Sequence, residues 1–183
     1  MLIPVKRLDS AKSRLAEALS AEERAALMQE LLEHVVGVMK EADLGPITIV
    51  SGDSLELDGV GWYDDEGRAW NDALAAAMET AVTERVAVIV AADLPLLTPE
   101  EIRTLAAATP ARGVAIGRAR DGGTNAICMR PPGAYPTCFG TPNSAAEHER
   151  IVWLAGGSAH TFDLPGLAFD VDTPEDLAEW RPS

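Results

Sequence analysis

The sequence predicts a three-layer α/β/α fold, Rossmann-like, built on a mostly parallel mixed sheet. Three observations carry this expectation. Short apolar runs alternate with amphipathic helical stretches along most of the 183 residues. One run, residues 86–92, is apolar without a break, as a central strand buried on both faces must be. Helix-start signals precede the helical stretches where the chain has to turn back across the sheet.

The elements read in order. Residues 2–5 form a short buried strand, followed by a basic loop. Ser20-Ala21-Glu22-Glu23 is a capping box that opens a long helix. Its apolar positions Leu27, Leu31, Leu32, Val35, Val38 and Met39 recur at helical spacing, and Gly45-Pro46 ends it. Strands follow over 47–50 and 60–63, then an alanine-rich helix over 69–82. The central strand stops at Asp93-Leu94-Pro95. Thr98 then caps a helix whose first position is Pro99. Residues 114–117 and 124–129 are strands joined by a Gly122-Gly123 turn. A Pro- and Gly-rich loop spans 131–142, and Asn143 or Ser144 caps a helix reaching Leu154. Strands over 160–162 and 167–171 precede a last helix capped by Thr173-Pro174-Glu175-Asp176. No repeat or linker divides the chain, so residues 1–183 are expected to form one domain.

Composition narrows the function. A formal net charge of -14 disfavours general binding to nucleic acid or to an anionic membrane. No apolar run is long enough to cross a bilayer, and the N-terminus lacks a signal-peptide pattern, so a cytoplasmic location is expected. Cys128 and Cys138 lack zinc-site spacing and read as small core or near-core residues. An anionic ligand would need a local positive patch. Lys6, Arg7, Lys12 and Arg14, four of fifteen basic residues, supply one near the first strand, unless they only solvate a loop.

In such folds ligands bind beyond the carboxyl ends of the strands. That rule points to the loop after Val5, the Asp93 turn and the Asp170 segment. Asp93 closes the most apolar strand. Asp170 and Asp172 flank Val171 and share a face by alternation, although Asp172 is also placed for ordinary helix entry. If Asp93 and Asp170 converge at about 4 Å, their repulsion is roughly 4 kcal/mol at an effective dielectric near 20. A divalent cation resolves it, and hard carboxylate oxygens suit Mg²⁺. Ser144 reads more readily as a cap, with Glu147 completing the box, than as a phosphate ligand. His148, one turn further, reads more readily as structural than as ligand-facing. The chain has no Walker-type phosphate loop, no Gly-x-Gly-x-x-Gly after its first strand and no Gly-x-Ser-x-Gly elbow.

Taken together, several segments resemble one family. They are Ile3-Pro4-Val5-Lys6 with Ala11-Lys12-Ser13-Arg14-Leu15, then Leu19-Ser20 with Glu22-Glu23-Arg24. Ala92-Asp93-Leu94-Pro95-Leu96-Leu97, Gly123-Thr124-Asn125-Ala126, Phe139-Gly140, Ser144 with His148, and Asp170-Val171-Asp172-Thr173-Pro174 follow in the same order. This series is similar to the 2-phospho-L-lactate guanylyltransferases and the bacterial phosphoenolpyruvate guanylyltransferases. The resemblance implies the nucleotidyltransferase fold of the molybdenum-cofactor guanylyltransferases. It implies transfer of GMP from GTP to a small phosphorylated three-carbon acid, with pyrophosphate released, in biosynthesis of the deazaflavin coenzyme F420. The acid is phosphoenolpyruvate, 2-phospho-L-lactate or 3-phosphoglycerate.

Carried over by position, Asp93 and Asp170, with Asp172, hold Mg²⁺ as the cofactor, and Asp93, Asp170 and Lys12 are the catalytic set. Thr124, Gly140 and Ser144 hold the acid. Lys6, Lys12 and Arg14 line the GTP phosphates, and Asn71 lies near the nucleotide. The chain departs from the family's Gly-Leu-Asn at Ala69-Trp70-Asn71, is short over 51–63, and carries one extra residue between Gly140 and Ser144. Two other readings compete: a transferase of the same fold with a molybdopterin or sugar-phosphate acceptor, and a nucleotide-binding module without catalysis. The glycine-free loop Pro4-Val5-Lys6-Arg7-Leu8 counts against the molybdopterin reading. A homodimer is compatible with the sequence.

Overall fold

The computed structural model describes residues 1–6, 12–80, 85–141 and 143–181. Arg7, Ala11, Pro142 and the end of the helix expected over 69–82 lie outside the described residues. Among the described residues seven strands form one sheet: β1 (Leu2–Pro4), β2 (Thr48–Val50), β3 (Gly61–Tyr63), β4 (Ala87–Val90), β5 (Gly113–Arg118), β6 (Thr124–Arg130) and β7 (Ser158–Phe162). Their order is β3-β2-β1-β4-β6-β5-β7. β6 runs antiparallel to both neighbours, and the remaining pairs are parallel.

Side-chain alternation divides the core into two layers. Ile3, Val88 and Val90 face one side, where α1 (Ala21–Ala42) and α3 (Pro99–Ala108) cover them with Leu32, Val35, Ile102 and Leu105. Leu2, Ala87 and Ile89 face the other, against Leu74 of α2 (Trp70–Glu79) and Val152 of α4 (Ser144–Leu154). All four residues of β4 are buried, which is why that run carries no polar residue. No helix of the described residues is long and apolar enough to cross a membrane.

The helix starts follow their local chemistry. Ser20 with Glu23, and Thr98 with Glu101, form complete capping boxes. Thr173 does the same with Asp176 at α6 (Pro174–Trp180), so Thr173 is the cap and the Asp172 carboxylate is left for other contacts.

One expected element is absent. Residues 167–171 do not form a strand. Pro165 starts a one-turn helix, α5 (Pro165–Ala168), and the chain then runs extended beside the sheet. Proline at the first helical position and the small Gly166 favour that turn over the strand that Leu167 and Phe169 suggest. Gly166 packs closely: a Cβ there would lie 2.3 Å from the Leu96 carbonyl oxygen. The segment keeps its place by single bonds, Arg120 N–H to the Ala168 carbonyl and Val171 N–H to the Asp93 carbonyl at 3.2 Å.

Candidate active site

The antiparallel direction of β6 assembles the site. The parallel strands β1 and β4 end at Pro4 and Val90, and β6 begins at that same edge with Thr124 and Asn125. The Ala91 N–H donates to the Asn125 carbonyl at 2.7 Å, so the two chains stay paired up to the cleft. The Val171–Asp93 bond brings the Asp170 segment alongside. A cleft of about 390 Å³ opens there. It is lined by Lys6, Lys12, Arg14, Asp93, Thr124, Gly140, Ser144, Asp170 and Asp172. Residues far apart in sequence thus meet at one mouth, as the strand-end rule requires.

One wall is acidic. Asp93, Asp170 and Asp172 each offer a carboxylate oxygen, and these oxygens lie within 4.8 Å of one another. Burial, reinforced by the charge of Asp93, pushes the Asp170 carboxyl up to about 6, while a hydrogen bond from Asn125 Nδ2 at 3.2 Å pulls it back. Lys12 adopts a left-handed backbone conformation, φ 54°. Its Nζ lies 2.5 Å from Asp93 and 2.8 Å from Asp172. Burial disfavours the Lys12 charge most strongly. The two carboxylates together outweigh it and hold the ammonium above its ordinary value. Arg14 is exposed and reaches Asp172 at 3.5 Å. Three hard oxygen donors, two of them repelling each other at a half-buried position, fit a divalent cation. In this structure Lys12 neutralises only the Asp93 and Asp172 side of the group.

A second part of the lining is a hydroxyl cluster without charge of its own. Thr124 Oγ1 contacts His148 Nδ1 at 3.0 Å and Ser144 Oγ at 3.1 Å. His148 is 1% exposed, and burial lowers its pKa to about 4 against the opposing hydrogen bond to the Ser144 carbonyl. Its Nε2 accepts the Cys138 N–H at 2.9 Å. Gly140 has φ 79°, a conformation costly for any side chain, and it turns the loop back toward α4 beside Trp70. Gly122, φ 88°, lets its loop pack on the start of α4, where its carbonyl accepts the Ala145 N–H.

Several sequence expectations change here. Ser144 is not a helix cap. Asn143 occupies that position in a left-handed conformation without a side-chain cap bond, and the Ser144 hydroxyl is turned to Thr124 instead. Glu147 pairs with Arg150 rather than closing a capping box. Asn71 does not line the cleft. Its amide clamps Phe139, accepting that residue's N–H at 2.9 Å and donating to its carbonyl at 3.1 Å. Trp70 does line the cleft, offset from Phe139 with Lys6 Nζ 4.9 Å above its ring. Asp121, Asn125 and Phe139 are lining residues absent from the sequence-based set. For Asn125 the signal was present, since it follows Thr124 at the strand mouth. Asp121 sits in a loop whose path the sequence does not define.

The fold has counterparts among solved structures. The structure superposes on a Desulfovibrio desulfuricans G20 protein provisionally described as a nucleotide-diphospho-sugar transferase, with TM-score 0.78 and 20% identity, covering 98% of this chain and 85% of that one. It also superposes on a Mycobacterium tuberculosis H37Rv protein, Rv0371c, solved in complex with manganese, with TM-score 0.56 and 17% identity, covering 97% and 94%. The chain belongs to the family described as "Guanylyl transferase CofC like", which it matches over residues 1–180. It is 37% identical to the phosphoenolpyruvate guanylyltransferase of Sphaerobacter thermophilus, over 97% of this chain and 90% of the relative. It is also 37% identical to the 2-phospho-L-lactate guanylyltransferase of Halorubrum lacusprofundi, over 92% and 77%.

Proposed function

We propose that this enzyme transfers GMP from GTP to a small phosphorylated three-carbon acid, with Mg²⁺ as its metal. The observation that carries the proposal is the shared cleft. A carboxylate group able to hold a cation and the hydroxyls of Thr124 and Ser144 line one space of small-ligand size. The names of the relatives supply the substrate class, phosphoenolpyruvate or 2-phospho-L-lactate.

The reaction is an in-line displacement. A phosphate oxygen of the acid bonds to the α-phosphorus of GTP, the bond from that phosphorus to the bridging oxygen breaks, and pyrophosphate leaves with that oxygen. The attacking oxygen is already ionised at neutral pH, so no strong general base is needed. Asp93, Asp170 and Asp172 would hold Mg²⁺, which when bound neutralises phosphate charge. Thr124, Ser144 and the Gly140 turn hold the acid. Lys6 and Arg14 at the cleft rim attract the triphosphate. Lys12, already held by two carboxylates, keeps the acidic wall compact and sets its charge. Positioning and charge neutralisation then supply the rate.

Purified protein incubated with GTP, Mg²⁺ and each of phosphoenolpyruvate, 2-phospho-L-lactate and 3-phosphoglycerate should release pyrophosphate with one of them. Release only with a different nucleotide or acceptor would overturn the substrate assignment.

A further inference from the structure

We infer that His148 is a positioning residue, which fixes the hydroxyl pair Thr124–Ser144 as a net hydrogen-bond donor toward the acid. The inference deepens the proposed function and rests on it for the identity of the ligand. Cys138 contributes a backbone N–H, which can only donate, so His148 Nε2 must be the unprotonated, accepting nitrogen. The ring proton of the neutral imidazole therefore sits on Nδ1, where Thr124 Oγ1 at 3.0 Å and the Ser144 carbonyl share it, so Nδ1 cannot accept a hydrogen from Thr124. The two hydroxyls share one further bond at 3.1 Å. That bond uses one of their two hydrogens, and the other must leave the pair. Thr124 and Ser144 both line the cleft, which is the open direction for it.

The pair thus presents an O–H to the cleft whichever hydroxyl carries it. Such a donor suits a phosphate or carboxylate oxygen, which only accepts. The Cys138 contact adds a second effect. It ties the loop carrying Phe139 and Gly140 to α4, so one side chain holds both sides of the acid-binding wall in register.

Two substitutions separate the contributions. H148Q keeps an acceptor near the Nε2 position and loses the donor to Thr124. H148N keeps an N–H near the Nδ1 position and loses the acceptor for Cys138. The inference predicts that H148Q raises KM for the phosphorylated acid by roughly tenfold or more, the expected scale for one hydrogen bond to a charged group, with KM for GTP unchanged. H148N keeps the donor to Thr124 but releases the loop that carries Gly140, so its acid KM should rise less than that of H148Q, again with KM for GTP unchanged. An unchanged acid KM in folded H148Q, or equal rises in both KM values, would overturn it. Nitrogen NMR of the wild-type imidazole gives a test that needs no variant to fold. A protonated Nδ1 and an unprotonated Nε2 are expected, and the reverse tautomer contradicts the inference. Wild-type silence with every acid would sink the proposed reaction while the tautomer is still read. The wrong tautomer would sink the positioning role and leave the reaction standing.

Discussion

The two walls of the cleft solve the same problem in opposite ways. In the proposed reaction both would receive anionic substrates in an acidic protein. The wall of Asp93, Asp170, Asp172 and Lys12 concentrates charge and balances it with an ion pair and room for a cation. The wall of Thr124, Ser144 and His148 removes charge altogether and relies on a fixed pattern of donors. Charge suits the polyphosphate, whose binding needs neutralisation. Neutral donors suit the smaller acid, where direction counts for more than field strength. The contrast extends to titration, because burial raises the pKa of Asp170 and lowers that of His148.

The largest expected effect lies on the acidic wall. Asp93→Asn and Asp170→Asn should each reduce turnover by about 10³-fold or more. Circular dichroism and the melting temperature should stay close to wild type for Asp170→Asn, which relieves repulsion, whereas Asp93→Asn should fold but melt lower because the buried Lys12 ammonium loses one of its two carboxylates. Turnover close to wild type in either variant would break the assignment of the metal to this wall.

The titration contrast comes next. The folded pKa of His148 is about 4, against an ordinary 6.5. Its contribution to stability is present above pH 6.5 and is lost as pH falls toward 4, on the order of 3 kcal/mol in all. Asp170 has the opposite sign. Its folded value of about 6 lies above the ordinary 3.8, so its contribution is present below 3.8 and is lost as pH rises through about 6. Urea midpoints measured across this window should fall more steeply with acid in Asp170→Asn than in wild type, and less steeply in H148N. Parallel curves for all three proteins would remove the contrast. Mg²⁺ binding followed by calorimetry should also weaken as pH drops through about 6, because Asp170 must be ionised to take part.

Smaller effects sharpen the picture. Asn71→Ala should destabilise by about 1–2 kcal/mol, because the half-buried Phe139 N–H and carbonyl lose their partner. Denaturant unfolding measures this. Arg14→Ala should change stability by less than about 0.5 kcal/mol, since its contact with Asp172 is long and the side chain is 72% exposed. Its effect belongs to KM for GTP.

The sequence was most legible where local chemistry decides the outcome. The three capping boxes, the unbroken run before Asp93 and the acidic pair around Val171 needed only nearest-neighbour rules. The strand-end rule then placed Asp93 and Asp170 in one cleft. It was less legible where long-range packing decides. Pro165 and Gly166 turned residues 167–168 into a helical turn despite their apolar neighbours. Ser144 had the right identity for a cap, but the left-handed Asn143 took that position and left its hydroxyl to Thr124, twenty residues earlier in the chain. His148 read as structural, which its burial supports, but its contacts with Thr124 of β6 and with the Cys138 N–H come from distant segments that helical spacing does not reveal. Lys12 was expected on phosphate and does line the cleft, but its pairing with two half-buried carboxylates from distant segments was not legible. The order of motifs along the chain supplied the family, which no single residue pattern specified.

The central claim is that the cleft joins the α-phosphorus of GTP to a phosphorylated acid. Incubation with GTP labelled at the α-phosphorus, together with Mg²⁺ and each candidate acid, tests it most directly. The account predicts that the label moves into an acid-linked product in wild type and stays in GTP with Asp170→Asn. Label that remains in GTP with wild type and every acid, or that appears only as free GMP, would contradict it.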